Sequence, residues 1–194
     1  MANYYDEENH KYYVDGVEKP SVTEIAKPIS AERLNALQMS ILERARARGS
    51  RCHELAEEYL LCGELNAEEI EAEVFPYIQQ FVLWVKTYRP KVLFTEKILF
   101  GKDFCGTLDL LCEIDGKVIN VDYKFTSAID KKSLSVQLEG YDRLAKENGI
   151  RLDESWFLHI KKDGYVFKPI KKDGEWFDIL LAHNKKMRGK YDGK

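Results

Sequence analysis

Phe104-Cys105-Gly106-Thr107-Leu108-Asp109-Leu110-Leu111-Cys112-Glu113-Ile114, the pair Asp115-Gly116, and Val118-Ile119-Asn120-Val121-Asp122-Tyr123-Lys124-Phe125 form the most informative stretch of the chain. Both flanks are strand-like apolar runs, and Asp-Gly between them signals a tight hairpin turn. Side chains two apart on a strand share a face, so Asp122 and Lys124 project together. Asp109 lies on the neighbouring strand, close enough to converge with them. An Asp-x-Lys on a strand is usually a solvated face. Here Val118, Ile119 and Val121 mark a mostly buried strand, where two carboxylates and an ammonium are expensive unless something uses them. A divalent cation between the carboxylates would remove their repulsion. The lysine would then hold the attacking water or neutralise charge on a phosphate.

Upstream of this hairpin, Val92 to Phe100 reads as a strand closed by Gly101. Downstream, Ser133 to Asn148 reads as a helix stopped by Gly149. Strands at Trp156–Ile160 and Tyr165–Ile170 follow, around Asp163-Gly164, and then a helix from Trp176 to Met187. Nearer the start, Asp15-Gly16 turns a small hairpin between Lys11–Val14 and Val17–Lys19. Ser21-Val22-Thr23-Glu24 has the hydroxyl and carboxylate spacing of a capping box. Helical periodicity runs from Ala31 to Leu61, with an interruption expected at Gly49-Ser50 and a stop at Gly63. A further helix spans Ala67 to Tyr88 and ends before Pro90, kinked or split at Pro76. Helices first, then a three-strand meander, then helix, strand, strand and helix imply an α/β fold. Its core is a mixed sheet flanked by helices, with a helical N-terminal part.

The 194 residues suit one domain, residues 1–194, and nothing marks a linker or repeat. Within it, 1–30 forms the hairpin and cap and 31–90 the helical part. No run approaches the ~18 apolar residues of a membrane span, and the opening Met1-Ala2-Asn3-Tyr4-Tyr5-Asp6 has no secretory pattern. The chain therefore reads as a soluble, cytoplasmic protein with no membrane partner. Cys52, Cys62, Cys105 and Cys112 show no C-x-x-C pair and no matching histidine spacing, so they read as packed thiols rather than zinc ligands. The net charge of −3 argues against unspecific coating of nucleic acid. It conceals a gradient, from −8 over residues 1–75 to +5 over residues 161–194. The basic C-terminal section, including Lys161, Lys162, Lys171, Lys172, Lys185, Lys186 and Arg188, could touch phosphates or simply be a solvated surface.

The pairing of Gly106-x-x-Asp109 with Asp122-x-Lys124 resembles the two-part signature of the PD-(D/E)xK phosphodiesterase superfamily. The likeness is nearest to its RecB-type exonuclease branch, which adds an upstream G-x-x-x-H, matched by Gly49 and His53. It also adds a Q-x-x-x-Y after the D-x-K strand, matched by Gln137 and Tyr141, and a glutamate before G-x-x-D, matched by Glu96. The opening Tyr12-Tyr13-Val14-Asp15-Gly16-Val17-Glu18-Lys19-Pro20-Ser21-Val22-Thr23-Glu24-Ile25 is similar to the start of phage-borne and mitochondrial genome-maintenance exonucleases of that branch. The resemblance covers about residues 11–145.

It implies a restriction-endonuclease-like fold with its catalytic core in 91–194, and a metal-dependent exonuclease acting on DNA ends. His53, Asp109, Asp122 and the carbonyl of Tyr123 would hold Mg²⁺ or Mn²⁺, and one imidazole among oxygens suits Mn²⁺. Lys124 would position the hydrolytic water and Glu96 would reach a second metal. Gln137 and Tyr141 would contact the strand or orient the site. Gly49 would let its helical face approach the sheet. The arginines 44, 46, 48 and 51, with Arg48 and Arg51 beside His53, are candidate phosphate contacts or an ordinary basic helix face. An iron–sulfur cluster is not expected, since no cysteine follows Cys112. DNA, single-stranded or with single-stranded ends, is the implied substrate, in a bacterial or phage-infected cell. A recombinase or single-strand-binding protein is a conceivable companion in recombination or repair. A structure-selective endonuclease and a non-catalytic nucleic-acid-binding module of the same fold are the other readings.

Overall fold

The computed structural model describes residues 2–30 and 36–191. A three-stranded antiparallel sheet opens the chain, in the order β1 (Tyr4–Asp6), β2 (Lys11–Val14), β3 (Val17–Lys19). The β2–β3 turn falls at Asp15-Gly16, both residues with positive φ, as the sequence implied. The strand β1 was not anticipated; three residues carry too little pattern. The capping box forms: Glu24 N–H donates to Ser21 Oγ at 3.0 Å and Ser21 N–H to Glu24 Oε2 at 2.9 Å. It starts helix α1 (Val22–Ser30).

Helix α2 (Ala36–Cys62) runs without a break through Gly49-Ser50, correcting the expected interruption. A mid-helix glycine costs only about 1 kcal/mol, too little to stop a helix that buries Cys52, Leu55 and Ala56 on the sheet. The expected start at Ala31 lies outside the described residues. Gly63, at φ +81°, ends α2 with its N–H on the Tyr59 carbonyl. The expected second helix is split, with one 3₁₀ turn at Ala67–Glu69 and then α3 (Phe75–Tyr88). Pro76 sits in the first turn of α3, where its missing N–H is harmless.

The main sheet has five strands in the order β4 (Lys91–Phe100), β5 (Cys105–Ile114), β6 (Lys117–Phe125), β7 (Glu154–Lys161), β8 (Gly164–Pro169). All pairings are antiparallel except β6–β7, which is parallel and joined through α4 (Lys131–Glu147). Helix α5 (Gly174–Tyr191) closes the described chain. One face of the sheet packs Leu110, Val121, Tyr123, Phe125 and Leu158 against α2 and α3, whose Phe81 and Trp84 are fully buried. The other face packs Leu99, Leu108 and Phe157 against α1, α4 and α5. The mixed sheet flanked by helices, with a helical N-terminal part, is the architecture that the period changes implied. No helix among the described residues is long and apolar enough to cross a membrane.

Candidate metal centre

Two irregularities make the site. The β5–β6 ladder is registered from Leu110↔Val121 outward to Ile114↔Lys117 and stops there, so the strands part at Asp109 and Asp122. On the other side of β5, the ladder with β4 registers Thr95↔Leu110 and Lys97↔Leu108 and skips the pair between them, Glu96 and Asp109. Glu96 there has φ +42°, a left-handed backbone that side chains other than glycine's adopt at a cost of order 1–3 kcal/mol. Around Asp109 the even-numbered residues of β5 change sides. Leu108 packs in the α1/α4/α5 core and Leu110 in the α2/α3 core.

Asp109 occupies the gap. Its Oδ2 accepts the Tyr123 N–H at 3.0 Å, and the Tyr123 hydroxyl donates to the Asp109 carbonyl at 3.3 Å. From α2, His53 reaches over β6, its ring 4.6 Å from the Tyr123 ring and 5.5 Å from that of Phe125. Its Nδ1 lies 3.4 Å from Glu96 Oε1. One ligand atom each from His53, Glu96 and Asp109 lie within 4.8 Å of one another. Asp122 is only 1 % exposed, and Lys124 Nζ donates to its Oδ1 at 2.8 Å. Its Oδ2 has no hydrogen-bond partner among the described residues.

The electrostatics follow from this crowding. Burial raises the pKa of Asp109 against the pull of Lys124 and His53. Asp122 is raised the same way, with Lys124 opposing and Asp109 adding repulsion. Burial lowers the pKa of Lys124 and His53, but the carboxylates outweigh it in both. Asp122 and Asp109 hold Lys124 above its ordinary value, and Asp109 and Glu96 do so for His53. Lys124 is therefore a fixed cation at neutral pH. Asp122, buried, and Asp109, part-buried, both pushed toward protonation beside an imidazole and Glu96, are a donor set that could hold a divalent ion.

The structure thus brings together Asp109, Asp122, Lys124, Glu96 and His53. It differs from expectation in grouping, since Glu96 joins His53 and Asp109 while Asp122 is tied to Lys124. Tyr123 contributes its amide and its ring. Tyr141 is buried on α4, hydrogen-bonded to Thr23 of α1, and its pKa is raised by burial and by both aspartates. Gln137 is half-buried one turn earlier. A Cβ at Gly106 would stand 3.0 Å from the Tyr141 ring, so the glycine of G-x-x-D makes room for that tyrosine.

Gly49 has no such role: among the described residues a Cβ there would meet nothing within 4 Å, which corrects the expected close approach. The arginines also fall differently. Arg51 pairs with Glu54 at 3.1 Å and Glu71 at 3.3 Å. Arg48 lies over the Tyr77 ring at 5.1 Å. Helical geometry, at 100° per residue, puts Arg46 on the His53 face and Arg51 on the opposite one. In the basic C-terminal section, Lys185 pairs with Asp103, Lys172 with Asp142, and Arg188 with Glu18 and Glu24.

Two features escaped the sequence reading. Thr95 donates to Glu57 Oε1 at 2.6 Å, tying α2 to β4 one turn after His53 and one residue before Glu96. Asn120, on β6 two residues before Asp122, is buried with no hydrogen-bond partner for its amide among the described residues, and no contact ties it to the metal-centre residues there. The cross-element pair has no local spacing to betray it; an asparagine in an apolar strand was a visible signal.

No family sequence profile matches the chain, and no curated protein matches it significantly in sequence. Among solved structures, the chain is similar to a phage-related exonuclease from Haemophilus somnus 129PT, at 15% identity over 84% of this chain and 88% of that one, with TM-score 0.42. It is also similar to the protein SSO0001, at 14% identity over 90% of this chain and 78% of that one, again with TM-score 0.42. The chemistry of the site rests on its own side chains.

Proposed function

We propose that the chain is a metal-dependent deoxyribonuclease of the PD-(D/E)xK type that hydrolyses DNA from its ends. The observation that supports this is the meeting of Asp109, Asp122 and Lys124 with His53 and Glu96 where β5 and β6 part. His53, Glu96 and Asp109 would hold Mg²⁺ or Mn²⁺, with Asp122 as the further carboxylate. The bound ion would supply Lewis-acid stabilisation of a phosphate.

The chain's own groups do the rest. Tyr123 N–H holds Asp109 by its Oδ2, and one oxygen of that carboxylate lies within 4.8 Å of ligand atoms of His53 and Glu96. Lys124, held toward its charged form by Asp122, would donate to the attacking water or to a non-bridging phosphate oxygen. Tyr123 and Phe125 shield the imidazole of His53 from water on their side. Gln137 and Tyr141 of α4 would contact the strand or orient the site.

The test uses end-labelled linear and covalently closed single-stranded DNA, with EDTA, Mg²⁺ or Mn²⁺. The proposal expects metal-dependent loss of the linear substrate alone. Cutting of the circle would reassign the protein as an endonuclease. Survival of both with retained DNA binding would make it a binding module.

A further inference from the structure

The second half of α2 and the outer side of α3 enclose a groove of about 370 Å³ that the candidate metal centre does not use. Tyr59, Leu65, Ile70, Phe75, Val82 and Leu83 line it, and Leu83 is 50% exposed. An apolar groove left open to water marks an interaction surface when it stands out from the surface around it. This one stands out by charge. Of the glutamates between Glu54 and Val85, Glu54 and Glu71 pair with Arg51 and Glu57 accepts from Thr95, so the charge beside the groove comes from its loop segment. Glu64, Glu68 and Glu69 flank the lining residues Leu65, Ala67 and Ile70 in sequence, all three on exposed positions. Lys86 is the one cation of the lining.

This combination narrows the occupant. A negative rim repels nucleic-acid phosphates and anionic lipid headgroups, so the groove is no extension of a DNA track. It equally disfavours an acidic peptide tail. It favours a segment that presents apolar anchors on one side and lysines or arginines on the other, the helix-in-groove mode of peptide recognition. Tyr59, the groove's lining residue from α2, lies six residues past His53, and none of the groove's lining residues belongs to the metal centre. We infer that the α2–α3 groove is a docking site for a basic amphipathic helix of a partner protein.

The test uses the full chain and a fluorescein-labelled 14-residue leucine/lysine amphipathic peptide, with a leucine/glutamate peptide of the same pattern as comparison. Anisotropy is followed for wild type, Leu83→Glu, the double variant Glu64→Lys/Glu68→Lys, and Val166→Glu on the remote edge strand β8. Circular dichroism confirms that each is folded. The inference expects saturable binding of the lysine peptide, at least about tenfold tighter than that of the glutamate peptide. It also expects a loss of about tenfold in both groove variants and none in Val166→Glu. Equal binding of the two peptides, or undiminished binding by either folded groove variant, overturns it. So does a wild-type dimer in analytical ultracentrifugation that Leu83→Glu dissolves without any effect on peptide binding, since the occupant would then be a second copy. Leu83 and the two glutamates touch no residue of the metal centre, so DNA cleavage should be unchanged in these variants.

Discussion

Asp122 is held in a conflict that a metal would resolve. Burial raises its pKa while Lys124 opposes the rise, and Asp109 is raised likewise. A carboxyl whose folded pKa exceeds its unfolded value, near 4, contributes stability below that unfolded value and loses it as pH rises through the folded one. The contribution of this metal-free pair to stability should therefore fall as pH is raised from about 4 to neutrality. Asp122→Asn removes the titrating carboxyl and should flatten that dependence, while lowering the melting temperature at neutral pH because Lys124 loses its buried carboxylate partner. Differential scanning calorimetry in EDTA checks this; the same pH slope in wild type and variant would contradict it. Glu96 stores a second conflict in its backbone, at φ +42°. Glu96→Gly should relieve about 1 kcal/mol net, the strain less the added chain entropy, while removing one of the three clustered donors. A higher melting temperature in EDTA with a smaller metal-induced shift is the expected pair of results.

At the scale of elements, α2 and β4 must be held in register for His53 to meet Glu96, and the Thr95–Glu57 hydrogen bond does this from neighbouring positions. Thr95→Val should keep the fold, costing about 1 kcal/mol, but weaken Mn²⁺ affinity by about tenfold, in the range seen for residues that orient metal ligands. Calorimetric titration of the metal measures it, and unchanged affinity would remove Thr95 from any positioning role. Gly49→Ala should be neutral or slightly stabilising, because its Cβ meets nothing among the described residues and alanine is the better helix former.

These elements also show what could be read in advance. The β5–β6 hairpin, its Asp-Gly turn and the Asp122–Lys124 face follow from period and turn chemistry, which are local. The unbroken α2 did not, because Gly49-Ser50 looks like punctuation while the packing of Cys52 and Leu55 decides otherwise. The split ladders at Glu96 and Asp109 left no trace either, since a left-handed glutamate is imposed by tertiary context and carries no compositional mark. The partners of Arg51 are Glu54, one turn away, and Glu71, twenty residues on; the spacing could suggest only the first.

For the whole molecule, the sheet carries the site at the place where its ladders fail, and helices close both faces around it. The acidic N-terminal half and basic C-terminal section meet in the fold through Arg188 with Glu18 and Glu24, so the charge gradient of the chain is partly consumed internally. A bound ion that joins α2, β4 and β5 should stabilise the entire fold by mass action, by about 2.7 kcal/mol at a hundred times its dissociation constant. Mn²⁺ should raise the melting temperature of wild type and leave that of His53→Ala nearly unchanged; an equal shift in both would take His53 out of the centre. The most direct test of the central claim is the rate of Mn²⁺-dependent hydrolysis of a linear single-stranded oligonucleotide by wild type and by folded Asp122→Asn and Lys124→Ala. The account predicts cleavage by wild type and a fall of at least about a hundredfold in each variant. Turnover at the wild-type rate in either one would contradict it.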